Sequence, residues 1–240
     1  MSRSIKLYIF LCSLFCTIVI TGNLIFQKFV TINILSLEFE LSVGVLLYPV
    51  TFLISDLTAE FYGNRYANHM IKTSVLCSFI VMGLIMISDY LPATTWSNID
   101  DVSFHKMFSV YGVASVASIV ATFFAQLLDV KIYLYLKNLT TSKHLWFRNN
   151  LSTILAQVLD TTLVLTILCF AGILSWENYY TIASNSLVFK VIASLACTPF
   201  CYLGYYLIKK FVVKEGDSLN SVSVKINKDL HQNQELGYIE

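Results

Sequence analysis

The feature that most limits the folds open to this chain is a set of six separated apolar runs, each about 20 residues long. A helix rises about 1.5 Å per residue, so a run of that length crosses roughly 30 Å of hydrocarbon. The runs cover about Leu7 to Phe29, Phe39 to Phe61, Ile71 to Leu91, Phe108 to Tyr135, Leu151 to Leu174 and Ile182 to Ile208. The expectation is an all-α integral membrane protein with six transmembrane helices, forming one domain over residues 1–210. From Phe211 the chain turns polar, and residues 211–240 read as a cytoplasmic C-terminal tail.

Composition agrees with this reading. The chain is 56% hydrophobic and only 13% charged, with a mean hydropathy of +0.68. A net charge of +1 supplies no basic surplus for a phosphate backbone, which argues against nucleic acid as a partner. All six cysteines lie in apolar runs. Cys12/Cys16 and Cys197/Cys201 have one-turn spacing, but no His or acidic residue joins either pair at ligand spacing, so no metal is expected. Buried cysteine as a small hydrophobe accounts for them. The first run follows Arg3 and Lys6 without a small-residue cleavage site after it, and reads as a retained helix.

Orientation follows from the placement of Lys and Arg. With the N-terminus inside, the cytoplasmic segments hold Arg3, Lys6, Arg65, Lys72, Lys131, Lys137, Lys143, Arg148 and the basic residues from Lys209 onward. The opposite side holds Lys28 and Lys106 beside Glu38, Glu40, Asp100, Asp101 and Glu177. Trp96, Trp176, Tyr179 and Tyr180 then fall at the outer interface and Trp146 at the inner one. Both termini are expected in the cytoplasm. The sequon at Asn138 falls on the inner side and carries no weight.

Within these runs, polar residues are costly and call for a function or a partner. Thr122-Phe-Phe-Ala-Gln-Leu-Leu-Asp129 is nearly repeated as Thr153-Ile-Leu-Ala-Gln-Val-Leu-Asp160. In each copy Gln and Asp are three positions apart and share a helix face. Two such helices joined by one cytoplasmic loop can bring Gln126, Asp129, Gln157 and Asp160 around one cavity. The bland reading is that these residues only hold helices together by hydrogen bonds. A run ending near Val130 would make Asp129 an interfacial neighbour of Lys131.

The second run holds Asp56, about 13 Å into the layer counting from Arg65, and the shallower Glu60, which a bland reading pairs with Arg65. Pro49 inside this run frees backbone groups, as happens where a helix lines a cavity. Lys190 is the only Lys or Arg placed well inside a run, away from its ends; it either lies about 13 Å deep or snorkels outward. Pro199 follows it and is a candidate kink, and Asn23 is a weaker polar candidate.

Pro49-Val-Thr-Phe-Leu-Ile-Ser-Asp-Leu-Thr-Ala-Glu-Phe-Tyr-Gly63, Gln126-Leu-Leu-Asp-Val130, Ser152-Thr-Ile-Leu-Ala-Gln-Val-Leu-Asp-Thr161 and Phe189-Lys-Val191, in this order and spacing, resemble the queuosine precursor transporter family, also described as a vitamin uptake family. The resemblance covers about residues 7 to 210. Ala125 and Ala156 stand where that family often has glycine, a departure that bears on helix packing. The resemblance implies a multi-pass protein of the bacterial inner membrane that imports deazaguanine bases for tRNA queuosine salvage: the cyano or aminomethyl precursor, or queuine. The partners implied are a small heteroaromatic substrate and the lipid bilayer. On this reading Asp160, Gln157, Gln126 and Asp129 hold the base, Asp56 gates or pairs with Lys190, and Phe123, Phe124 or Tyr48 stacks on the ring.

Other readings have different consequences. A substrate-binding subunit of an ATP-energised vitamin uptake system fits the six-span size, and the chain has no phosphate-binding loop of its own. Proton-driven transport through Asp56, Asp129 or Asp160 is equally open, as is a homo-oligomer or a separate energising partner. An intramembrane aspartyl protease with an Asp129–Asp160 dyad is the rival from another class, but Gly-x-Gly-Asp and Tyr-Asp pairs are missing. No cofactor and no catalytic residue is expected.

Overall fold

The structure is a computed structural model that describes residues 3–25, 28–34, 37–108, 111–140 and 145–212. Six helices among these residues are long and apolar enough to cross a membrane. They are α1 (Arg3–Ile25), α2 (Tyr48–Tyr62) together with the helical turn Val43–Leu47 before it, α3 (Asn64–Tyr90), α5 (Tyr111–Leu139), α6 (Leu145–Phe170) and α7 (Tyr179–Val212), with a short α4 (Asp101–Phe108) between α3 and α5. The polar tail from residue 213 lies outside the described residues.

The expected boundaries shift most at the second run. A two-stranded antiparallel hairpin, β1 (Phe29–Ile34) and β2 (Leu37–Ser42), occupies its start, with Phe29 opposite Ser42 and Ile34 opposite Leu37. The alternation Leu37-Glu-Phe-Glu-Leu41 has the period of a strand, which the apolar run had obscured. The span itself is a 3-10 turn, Val43–Leu47, running into α2. Five residues at about 2 Å and fifteen at about 1.5 Å reach roughly 32 Å, just enough to cross. Pro49 falls in the first turn of α2, where its missing N–H costs no helical bond, so it starts the helix rather than breaking it.

α2 is the buried centre. Nearly all of its residues are covered, and it packs against α1, α3, α5, α6 and α7. It ends at Gly63, whose φ of 82° and ψ of 178° suit glycine alone, and α3 starts at the next residue. The apolar core gathers Phe15 and Leu11 of α1, Ile54 and Phe61 of α2, Met70 of α3 and Val130 of α5.

α5 and α6 pack as an antiparallel pair, and α6 shows how polarity is distributed. It buries Arg148, Asn149, Asn150, Ser152, Thr153, Gln157, Asp160 and Thr161, while Leu155, Val158 and Phe170 face outward. Lipid rewards this arrangement, since apolar side chains lose nothing there and polar ones find partners only inside the bundle. α6 starts six residues before the apolar run, so Arg148 is a buried helical residue and not part of a loop.

Candidate functional site

The buried polar residues form three layers along α2, each joining it to α5 about 74 positions further on. Tyr48 meets Thr122, Thr51 meets Gln126, Ser55 meets Asp129, and Glu60 meets Tyr133. The constant offset means that the two helices run parallel in one register. α6 then runs back past the same layers in reverse.

The first layer is built around Lys190 and Asp160. Lys190 Nζ lies 2.8 Å from Asp160 Oδ2 and 2.8 Å from Thr161 Oγ1, and sits 5.0 Å from the centre of the Tyr48 ring. Starting α7 at Tyr179 places Lys190 well inside the span, and its side chain is only 5% exposed, so it does not snorkel. The Tyr48 hydroxyl is 2.9 Å from Thr122 Oγ1 and 3.5 Å from Ser118 Oγ, which donates to Asn23 Oδ1 at 3.0 Å. Gln126 Nε2 donates to Thr51 Oγ1 at 3.2 Å. Asn23, Gln126, Asp160 and Lys190 therefore belong to one polar belt contributed by α1, α2, α5, α6 and α7.

Several buried polar atoms in this belt have no protein partner: both amide atoms of Gln157, Gln126 Oε1 and Asp160 Oδ1. Leaving such atoms unpaired costs about 1–3 kcal/mol each. Beside them Phe52 packs with Ala125 and Ala156, the alanines preceding the two glutamines, and with Tyr48. These alanines let α5 and α6 approach closely around an aromatic ring. The bundle is closed here. A cavity lined in part by Asn23, Tyr48, Thr51 and Thr122 has about 10 Å³ of free volume, room for about one water molecule.

The second layer is carboxylic. Asp56 of α2 and Asp129 of α5 are both fully buried and act on each other electrostatically, and neither oxygen of Asp56 nor Asp129 Oδ1 has a hydrogen-bond partner among the described residues. Ser55 Oγ is 3.4 Å from Asp129 Oδ2. Asp129 is no interfacial neighbour of Lys131, because α5 continues ten residues further to Leu139.

The third layer is ionic. Glu60 Oε2 accepts from Tyr133 at 3.0 Å, Lys137 at 3.1 Å and Arg148 at 3.3 Å. Lys137 also donates to the Glu60 backbone carbonyl at 2.8 Å, satisfying the C-terminal end of α2. The Arg148 guanidinium lies 5.4 Å from the Tyr133 ring centre. Asn149 and Asn150 tie α6 to α7 through Cys201 and Thr198.

Several expectations are corrected here. Asp56 does not pair with Lys190, which goes to Asp160, and Glu60 pairs with Lys137 and Arg148 rather than the exposed Arg65. Gln126, Asp129, Gln157 and Asp160 do not ring one cavity. Antiparallel packing sets Asp129 beside Thr153 and Asp160 beside Lys190, one layer apart. Asp129 and Asp160 thus form no protease-like dyad. Phe124 points outward at 52% exposure and Phe123 packs into the apolar core, so neither faces the belt. Phe52, Thr161, Tyr133 and Arg148 went unnoticed as site residues. The signal for Arg148 was its spacing of four from Ser152, eight from Ala156 and twelve from Asp160, one buried helix face.

Comparison with known proteins fits this picture. The family model described as "Putative vitamin uptake transporter" matches residues 42–204, which hold every layer except Asn23. A "Probable queuosine precursor transporter" of Bacillus subtilis is 26% identical over 172 residues, 70% of this chain and 72% of the relative. A "Queuosine precursor transporter" of Escherichia coli is 28% identical over 195 residues, 78% of this chain and 81% of the relative. No solved structure matches the chain. Six apolar helices wrapped around a buried polar belt, together with a match over most of the membrane part, make this chain a multi-pass membrane transporter that belongs to the vitamin uptake transporter family.

Proposed function

We propose that this chain imports queuosine precursors, the deazaguanine bases from which queuosine in tRNA is salvaged, across a bacterial inner membrane, with both termini in the cytoplasm. The observation that carries the reading is the set of unpartnered buried atoms on Gln157, Gln126 and Asp160 beside the Phe52 ring. A guanine-like edge offers ring N–H and amino donors next to a carbonyl acceptor. Asp160 Oδ1 and Gln126 Oε1 accept, and the Gln157 amide both donates and accepts. Lys190 donates to the other oxygen of Asp160 and orients the carboxyl. Phe52 offers the apolar face on which a flat base stacks. The names of the B. subtilis and E. coli relatives support the same cargo.

Rescue of tRNA queuosine tests this directly. The chain is expressed in a bacterium that neither makes nor imports the precursors, and the cyano base, the aminomethyl base and queuine are supplied singly at low concentration. Queuosine appearing with at least one of them is the expected result. Its absence with all three, with the protein present in the membrane, would sink the proposal.

A further inference from the structure

We propose that the Asp56–Asp129 carboxyl pair binds one proton that crosses the membrane with the cargo, which makes the transporter a proton symporter. The proposal rests on the import reading above and concerns the layer that does not hold the base.

The argument starts from a charge count. The layers hold four buried acids, Asp56, Glu60, Asp129 and Asp160, two buried bases, Arg148 and Lys190, and the partly exposed Lys137 at the rim. Lys190 is taken by Asp160, and both Lys137 and Arg148 by Glu60. Asp56 and Asp129 are left without a base: neither oxygen of Asp56 has a hydrogen-bond partner among the described residues, and Asp129 has only the Ser55 hydroxyl, 3.4 Å from Oδ2. Carboxylates have no donor, so a hydrogen bond between two carboxyls needs a proton on one of them. Two adjacent carboxyls also resist ionising together. One proton makes the carboxyl pair singly charged and leaves three charged acids facing the two buried bases and the rim Lys137.

The surroundings keep that proton responsive to the state of the bundle. The titratable groups whose fields reach Asp56 are Glu60 on its own helix, Asp129 and Tyr133 on α5, Arg148 on α6 and Cys201 on α7. α1 and α3 pack against the same core through apolar residues such as Phe15 and Met70. Arg148 is the cation whose field reaches Asp56, but it is held by Glu60. Losing the proton leaves two carboxylates in contact across the α2–α5 seam, and their repulsion favours parting that seam. Binding one closes it. The proton enters on a carboxylate oxygen from the outer side and leaves from that oxygen to cytoplasmic water, with no other bond made or broken. The two copies of the Thr-x-x-Ala-Gln-x-Leu-Asp motif thus diverge in use, Asp160 fixed by a lysine and Asp129 by a shared proton.

Purified protein in liposomes separates the claims. Counterflow exchange of each labelled precursor at equal pH needs no driving force and tests import alone. Accumulation is then measured with the interior alkaline and the membrane potential clamped at zero. Coupling to one proton predicts about tenfold accumulation per unit of pH gradient, the factor set by one proton's share of the gradient. Cargo addition should also alkalinise the outer medium. Asp56→Asn and Asp129→Asn, tested singly, keep a hydrogen bond across the seam and mimic the protonated pair. Each should keep counterflow and lose gradient-driven accumulation. Wild-type counterflow with no response to the gradient overturns the proton assignment alone, as does undiminished accumulation by either Asn variant. A wild type without counterflow for any precursor overturns the import reading and this one with it. Should one Asn variant fail to fold, the other variant and the wild-type proton flux still decide.

Discussion

Lys190 Nζ and Asp160 Oδ2 meet at 2.8 Å in the middle of the bundle, with side chains 5% and 2% exposed. Their helices, α7 and α6, are adjacent in the chain and antiparallel, so the pair locks one seam of the site at a fixed depth. Removing one partner of a buried pair leaves an uncompensated charge and costs about 3–5 kcal/mol, whereas replacing both with apolar residues is often close to neutral.

Asp160→Ala is therefore expected to abolish uptake and to lower the unfolding midpoint in detergent. The double variant Asp160→Leu with Lys190→Met separates the two effects. It should recover most of the lost stability and none of the uptake. Recovery of uptake by the double variant would show that the pair is only structural.

Phe52 supplies a second test, one that the polar residues cannot give. It is buried beside Ala125, Ala156 and Tyr48. Stacking a base on an aromatic ring contributes about 1–3 kcal/mol, roughly 5- to 150-fold in apparent affinity. Phe52→Leu keeps most of the volume and removes the flat face. The expected result is a higher KM for uptake with near-normal expression and folding, while Phe52→Tyr keeps affinity closer to wild type. Equal KM for Phe52→Leu and wild type would remove Phe52 from the site.

Much of this architecture is readable before any coordinates. Six apolar runs give six spans because backbone burial in lipid leaves no competitor to the helix, and Asp56 and Asp160 stand out as charges within those runs, whereas the sequence leaves Lys190 open between burial and snorkelling. What escapes is partnership. Asp56 carries no mark that it faces Asp129 rather than Lys190, since helix rotation decides this and depends on the whole bundle. Arg148 was lost for a different reason. Hydropathy places a charged residue next to a run outside it, yet the ionic partner that buries Arg148 lies 88 positions earlier at Glu60. The hairpin escaped because Leu37, Phe39 and Leu41 lengthen an apolar run even while alternating with Glu38 and Glu40.

The Glu60 cluster joins α2, α5 and α6 at one end of the polar column. Glu60→Gln removes the charge that faces both Lys137 and Arg148, and the loss falls chiefly on Arg148, whose side chain is 2% exposed. A drop of about 3–5 kcal/mol in stability is expected. Tyr133→Phe removes one hydrogen bond to the same oxygen and should cost only about 1.5–3 kcal/mol, as a bond to a charged group. Thermal unfolding in detergent ranks the two. A Tyr133→Phe effect as large as that of Glu60→Gln would contradict the ionic account.

Packing between α2 and α7 is set by Gly204, and its test is independent of any charge. A Cβ built at Gly204 lies 2.8 Å from Leu57 Cδ1, closer than real side chains approach. Leu57 is itself buried, so it has little room to turn away. Overfilling a packed core costs about 1–3 kcal/mol, and here the strain would also push α7 away from α2 near Cys201, one turn along. Gly204→Ala is expected to lower the unfolding midpoint and to slow uptake. Adding Leu57→Val withdraws the clashing methyl group and should restore both, although Leu57→Val alone mildly destabilises by leaving a small void. A Gly204→Ala protein as stable and as active as wild type would mean that the α2–α7 seam is looser than this contact implies.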